Sequence, residues 1–204
     1  MHIAITGNIG AGKTTLAQLL ANHYGWDVLY EAVEGNPYLA DFYGDMERWA
    51  FNLQIYFLNS RFEQVKTIRE SGRSVIQDRT IYEDAYIFAT NLYQSGNMIE
   101  RDYQTYRTLF NNMVSTVQAP DLMIYLRADL PKLRGQIQKR GRSFEQSISD
   151  DYLQSLNTLY EEFAQNYTGG ELLIINVNDL DYSAYQSDLF KIIQQIDERL
   201  AVSL

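Results

Sequence analysis

Apolar positions along the chain fall into two alternating patterns. Short, continuous apolar runs at 2–6, 27–30, 74–77, 121–126 and 171–177 read as strands. The aliphatic and β-branched residues that fill most of them are those of strands covered on both faces. Between them lie longer stretches with the repeat of amphipathic helices, at 13–24, 46–70, 81–94, 101–117, 130–139, 149–167 and 182–200. In the first of these, Leu16, Leu19 and Leu20 share one face. Strands alternating with long helices predict an α/β domain built on a parallel sheet. No internal repeat or composition shift marks a linker, and Gly169-Gly170 reads as a local turn, so 1–204 is expected to be one domain.

Composition then narrows the class. With 46% hydrophobic residues in 204, the chain can bury a core and is not a disordered segment. Seventeen Lys and Arg against 26 Asp and Glu give a net charge of −9, which argues against a general nucleic-acid binder. The absence of cysteine removes disulfides, thiolate nucleophiles and Cys-ligated metals. No apolar run approaches the roughly 20 residues that span a bilayer. The chain enters a strand-like stretch at His2 without the charged and apolar regions of a signal peptide, so a cytoplasmic location without membrane association is expected.

Between the first strand and first helix stand Gly7, Asn8, Ile9, Gly10, Ala11, Gly12, Lys13 and Thr14, which fit G-x-x-x-x-G-K-[ST] in full. Glycines let the backbone turn so that N–H groups surround phosphate oxygens at a helix N-terminus. Lys13 is placed to neutralise β- and γ-phosphates and the Thr14 hydroxyl to bind Mg²⁺, with Thr15 closing the donor-binding set. The expected architecture is therefore a P-loop NTPase fold, a five-stranded parallel sheet flanked by helices. GTPases, ATPases and small-molecule kinases all use this loop. The chain has no Asn-Lys-x-Asp tetrapeptide for reading guanine. Asp78, at the end of the third strand, is placed to hold Mg²⁺, and Arg79 beside it to meet negative charge.

Glu31 ends the second strand on the same rim. A carboxylate facing phosphates is repelled unless it has a task, and accepting a proton from an attacking hydroxyl is one. No Lys or Arg occurs from 31 to 45, which favours a neutral hydroxyl acceptor over a phosphorylated one. An ordinary surface glutamate in an acidic loop is the competing reading.

The segments EAVEGNPYLADFY (31–43), FNLQIYFLNSR (51–61), DRTIYED (78–84) and KRGRSFE (139–145), in this order and spacing, resemble the deoxyribonucleoside kinase family. The resemblance covers nearly the whole chain. The form with Asn36-Pro37-Tyr38 is similar to bacterial deoxyadenosine/deoxycytidine and deoxyguanosine kinases, whereas animal members place a Trp at Asn36. It implies the nucleoside kinase type of fold with an Arg-bearing lid at about 132–146, ATP and Mg²⁺ as cofactors, a deoxyribonucleoside substrate and a homodimer. Glu31 would be the base for the 5′-hydroxyl and Arg79 would hold that carboxylate and the reacting oxygens. Gln54, Arg61 and Asp84 would read the edge of the base, Phe88 would stack on its ring, and Tyr43 and Glu145 would bind the 3′-hydroxyl. Gln54 and Arg61 are two helical turns apart and share a face, as do Asp84 and Phe88. A carboxylate held by Arg accepts from an exocyclic amine, which adenine and cytosine both carry, so deoxyadenosine or deoxycytidine is favoured; guanine stays open. For Trp49 core packing is the better reading, and for Phe88 core and stacking are level.

From 131 to 142 there are five cations, Lys132, Arg134, Lys139, Arg140 and Arg142, and no acid. In so acidic a chain this marks an anion contact, with Arg140 and Arg142 over the transferred phosphoryl. Many family members carry an Arg where Gln136 stands, and Arg134 is the candidate substitute. Asp179 falls in the segment that matches the family's loop over the donor adenine. A nucleoside monophosphate kinase and a non-catalytic nucleotide sensor are the rival functions.

Overall fold

The computed structural model describes residues 1–31, 35–142 and 145–202. The parts of the family-like segments at 32–34 and 143–144 lie outside them. Five parallel strands form one sheet in the order β2-β3-β1-β4-β5: β1 (His2–Thr6), β2 (Asp27–Leu29), β3 (Val75–Asp78), β4 (Leu122–Arg127) and β5 (Glu171–Asn176). β1 is central, with Ile5 paired to Asp78 on one side and Ile124 on the other. Chain order reverses across β1, so a crevice opens above its C-terminal end. The residues that end β1, β2 and β3 therefore converge there.

The helices are α1 (Lys13–Tyr24), α2 (Leu39–Gly44), α3 (Met46–Ser71), α4 (Ile81–Glu83), α5 (Thr90–Gln94), α6 (Glu100–Val114), α7 (Leu130–Arg140), α8 (Asp150–Asn166) and α9 (Gln186–Val202), with a π-turn, π1 (Asp84–Ala89), between α4 and α5. On one face of the sheet, Leu16, Ala17 and Leu20 of α1 pack with Ile192, Ile193 and Ile196 of α9 against Ile3, Ile5 and Ile124. On the other, Leu153, Leu156 and Tyr160 of α8 cover Tyr125, whose ring stacks on Tyr160 at 5.7 Å. Each such buried aliphatic side chain contributes roughly 1.5–3 kcal/mol of transfer free energy. Anchoring both faces makes the strand tips a rigid base for the crevice.

The sheet follows the sequence reading; three helical details differ. The stretch 182–200 becomes helical at Gln186, because the Ala184 and Tyr185 amides bond back to Asp181 O and close a turn first. α2 is six residues long, too short to show a period. The helix read across 81–94 widens at π1, where the Thr90 hydroxyl bonds Ala85 O at 2.9 Å. Such turns are frequent at functional sites, and this one keeps both Asp84 and Phe88 on the crevice.

Candidate active site

A cavity of about 670 Å³ lies over the strand tips. Its floor is the phosphate loop. Gly10 and Gly12 have φ of +85° and +93°, which L side chains rarely adopt. A Cβ on Gly10 would lie 2.7 Å from Leu133 O, and one on Gly12 would run into the Tyr182 hydroxyl. The loop thus threads between α7 and the segment after β5. Lys13 Nζ donates to Gly7 O (2.7 Å) and Asn8 O (3.0 Å), so the ammonium sits inside the loop. Burial lowers its pKa to about 8. Asn8 binds Leu153 O and Asn157 Oδ1 of α8 and is tied to the scaffold rather than the cavity.

The Thr14 hydroxyl donates to Asp78 Oδ2 at 2.5 Å, while Asp78 Oδ1 is buried without a hydrogen-bond partner. Burial raises the Asp78 pKa. A hydroxyl beside a carboxylate oxygen left over suits a hard divalent cation such as Mg²⁺, which is usually held by one or two protein oxygens and by phosphates. Among the described residues no cluster of three or more His, Cys, Asp or Glu could form a protein cage for a metal.

Arg79 follows with φ +74°, an uncommon left-handed conformation for a residue with a side chain. The Arg79 amide donates to Ile5 O, and its guanidinium lies over the Phe88 ring at 4.6 Å. Arg79 Nε is 2.9 Å from Glu31 Oε1, and Arg61 Nη2 lies 3.0 Å from the same oxygen. Burial acts to raise the Glu31 pKa, but the Arg79 and Arg61 charges outweigh it and hold it near 2. Glu31 Oε2 has no partner among the described residues.

Further in, Gln54, Asp84 and Phe88 face one chamber, with Arg61 buried behind them. Arg61 Nε is 3.6 Å from Asp84 Oδ2. Gln54 Oε1, Arg61 Nε and Nη1, and Asp84 Oδ2 are all buried and lack hydrogen bonds. Unfilled buried polar atoms are costly, and four of them around one chamber mark a place for a polar, planar ligand. Burial pushes the Asp84 pKa up to about 7, against the pull of Arg61.

Arg140 reaches Glu145 Oε2 through Nε (2.9 Å) and Nη2 (2.6 Å), and Arg142 Nη1 reaches Oε1 at 3.3 Å. Tyr43, Arg140, Arg142 and Glu145 all line the cavity. Arg134 does not. It binds Asp150 and, at 2.5 Å, Ile148 O, so it braces the start of α8 and leaves Gln136 without a substitute from that side. Lys132 donates to Leu180 O at 2.7 Å and holds the segment after β5 against α7.

Of the expected residues, Ile9, Gly10, Gly12, Lys13, Thr14, Thr15, Glu31, Tyr43, Gln54, Asp78, Arg79, Asp84, Phe88, Arg140, Arg142 and Glu145 border this single cavity. Gly7, Asn8, Ala11 and Arg61 support its wall. Asp179 is exposed at the tip of a turn closed by Leu180 N–H on Val177 O, and Leu180, Asp181, Tyr182 and Ser183 line the wall in its place. Sequence reasoning missed Tyr152, Tyr182 and Glu83. Only Glu83 left a signal, the Thr80-x-x-Glu83 capping box.

The family model for deoxynucleoside kinases matches residues 3–201. The chain belongs to the deoxynucleoside kinase family. It is 41% identical over 196 residues to the deoxyadenosine/deoxycytidine kinase of Bacillus subtilis (strain 168), covering 95% of this chain and 90% of that one. It is 34% identical to the deoxyguanosine kinase of Lactobacillus johnsonii (strain CNCM I-12250 / La1 / NCC 533), covering 97% and 92%. A solved deoxyadenosine kinase from M. mycoides, with products dCMP and a flexible dCDP bound, superposes with a TM-score of 0.87 at 34% identity, covering 97% of this chain and all of that one. As a member of this kinase family the chain carries its five-stranded P-loop fold, and no helix among the described residues is long and apolar enough to cross a membrane.

Proposed function

We propose that this deoxynucleoside kinase transfers the γ-phosphoryl group of ATP to the 5′-hydroxyl of deoxyadenosine, deoxycytidine or both. The observation that carries this reading is one cavity holding a phosphate loop, a carboxylate gripped by two arginines and a chamber of unfilled polar atoms. A nucleoside spans these groups: its base fills the chamber, its sugar passes Tyr43 and Glu145, and its 5′-hydroxyl reaches Glu31. Gln54 and Asp84 then receive the base edge, and Phe88 covers its face.

Phosphoryl transfer needs little covalent help from the protein, so positioning and charge supply most of the rate. Glu31 Oε1 is anchored by Arg79 and Arg61, and Oε2 accepts the 5′-hydroxyl hydrogen bond. A carboxylate with so low a pKa is a weak base, and it takes the proton late, once the new P–O bond has formed and the hydroxyl has become acidic. Arg79, Arg140 and Arg142 meet charge on the transferring group, Lys13 and the loop amides hold the β- and γ-phosphates, and the segment 132–146 acts as the lid. Thr14 and Asp78 would hold Mg²⁺, which would supply positive charge against that of the phosphates. A cytoplasmic homodimer is part of this proposal, carried over from the family resemblance and tested by sedimentation.

The deciding experiment is a panel of the four deoxynucleosides and their ribo counterparts with ATP and Mg²⁺, with dAMP as a further acceptor. Deoxyadenosine or deoxycytidine is expected to give the highest kcat/KM. A preference for deoxyguanosine would reassign the base, and phosphorylation of dAMP alone would overturn the hydroxyl acceptor.

A further inference from the structure

Glu83 is fully buried, it does not border the cavity, and the mechanism above does not use it. Its carboxylate nevertheless gathers four donors. Oε1 accepts from Tyr160 O–H at 2.8 Å, from Arg79 Nη1 at 3.2 Å and from the Gly7 amide at 3.4 Å, while Oε2 accepts from the Thr80 amide at 2.7 Å. Arg79 Nη1 also donates to the Tyr160 oxygen at 2.9 Å. A helix cap requires only the Thr80 contact. The remaining contacts join the first residue of the phosphate loop, the arginine after β3 and the middle of α8.

We infer that Glu83 and Tyr160 are positioning residues that set the plane of the Arg79 guanidinium for phosphoryl transfer. This rests on the kinase reading above. A guanidinium is a rigid planar fork in which Nε and Nη2 share one edge. Holding Nη1 on Glu83 and Tyr160, with Phe88 against the ring face, fixes where the Nε–Nη2 edge lies, with Nε 2.9 Å from Glu31 Oε1 as an ion-pair contact without a hydrogen bond. The buried Nε makes no hydrogen bond and none is seen for Nη2 among the described residues, so this edge is the one left for developing charge. The Gly7 contact ties this orientation to the loop that carries the donor, so donor and acceptor groups keep a fixed relation. The strained backbone of Arg79 fits the same purpose, since strain persists where surroundings over-determine a conformation.

The test combines Tyr160→Phe and Glu83→Gln with Arg79→Lys, measuring kcat, KM for ATP and for deoxyadenosine, and Tm. Tyr160→Phe keeps the ring stacked on Tyr125 and removes only the hydroxyl. Its kcat is expected to fall about tenfold, with both KM values within about twofold of wild type. Glu83→Gln is expected to fall further, because an amide that keeps its oxygen on Gly7, Arg79 and Tyr160 turns its NH₂ toward the Thr80 amide, and the flipped amide turns that donor toward the other three. In the Arg79→Lys background neither change should lower kcat by more than about twofold, since the group they orient is gone. A folded Tyr160→Phe enzyme that keeps more than about a fifth of wild-type kcat, or losses that multiply undiminished onto Arg79→Lys, would overturn the inference. If Glu83→Gln does not fold, Tyr160→Phe decides alone. Should wild type phosphorylate no deoxynucleoside, the functional reading has failed instead.

Discussion

Arg61 Nη2 lies 3.0 Å from Glu31 Oε1 while Arg61 Nε faces Asp84 at 3.6 Å, so one buried guanidinium links the carboxylate of the inner chamber to the carboxylate after β2. Its two acidic neighbours respond in opposite directions. Glu31, shared with Arg79, is held near a pKa of 2, whereas burial carries Asp84 to about 7. Two carboxylates with widely separated pKa values have different work to do. One stays charged at every working pH, and the other changes state near neutrality.

Replacing Glu31 with Gln keeps the side chain's shape and its partners' burial but removes the proton acceptor. General-base catalysis contributes about 10²–10⁴ in rate, and kcat is expected to fall within that range. ATP binding measured by calorimetry should stay within about twofold, because the loop amides and Lys13 carry it. Near-normal turnover would remove Glu31 from the base role.

The pH dependence should report Asp84 and not Glu31. In the free enzyme Asp84 is protonated below about 7 and cannot accept fully from an exocyclic amine. Consequently kcat/KM for deoxyadenosine is expected to fall as pH drops through about 7, and Asp84→Asn should flatten that limb at a lower plateau. Stability carries the same signature. The folded pKa is raised above the unfolded value of about 3.9, so Asp84's contribution is complete below that value and is lost as pH rises through about 7. His2 opposes this slope, since burial lowers its pKa to about 4. The wild-type-minus-Asp84→Asn difference in Tm across this window isolates Asp84; a flat difference would contradict its raised pKa.

The parts of this site that could be read from sequence are those written in short-range pattern. Gly7 to Thr14 carry their own geometry, and Glu31 and Asp78 follow from strand ends on one rim. Gln54 and Arg61 are picked out by the family resemblance; their seven-residue spacing puts them on one helix face, and both prove to be buried. The rest depends on contacts distant in sequence. Tyr160 meets Glu83 across 77 positions, and Lys132 meets Leu180 across 48. Neither leaves a local period. Asp179 misleads for the opposite reason: the segment is the right one, but its turn faces Asp179 outward and turns Leu180 to Ser183 inward.

Gly12→Ala tests the floor of the cavity. The added methyl meets the Tyr182 hydroxyl in a backbone conformation that L residues avoid. The strain should cost roughly 1–3 kcal/mol of stability and displace the amides that surround phosphate. A lower Tm together with a raised KM for ATP is expected, while the KM for deoxyadenosine changes little. An unchanged ATP KM would mean the loop backbone does not cradle the donor.

The last prediction separates the cations of α7. Arg134 is spent on Asp150 and Ile148 O outside the cavity, whereas Arg140 and Arg142 stand inside it on Glu145. The Arg134–Asp150 pair is largely solvated on its acidic side, and such pairs contribute about 0–1 kcal/mol. Arg134→Ala should therefore lower Tm slightly and leave kcat within about twofold of wild type. Arg140→Ala and Arg142→Ala should each lower kcat at least about tenfold, because a guanidinium at the transferring phosphoryl acts mainly in the transition state. If Arg134→Ala loses as much turnover as Arg140→Ala, then Arg134 leaves Asp150 during the reaction and takes the place that Gln136 cannot fill.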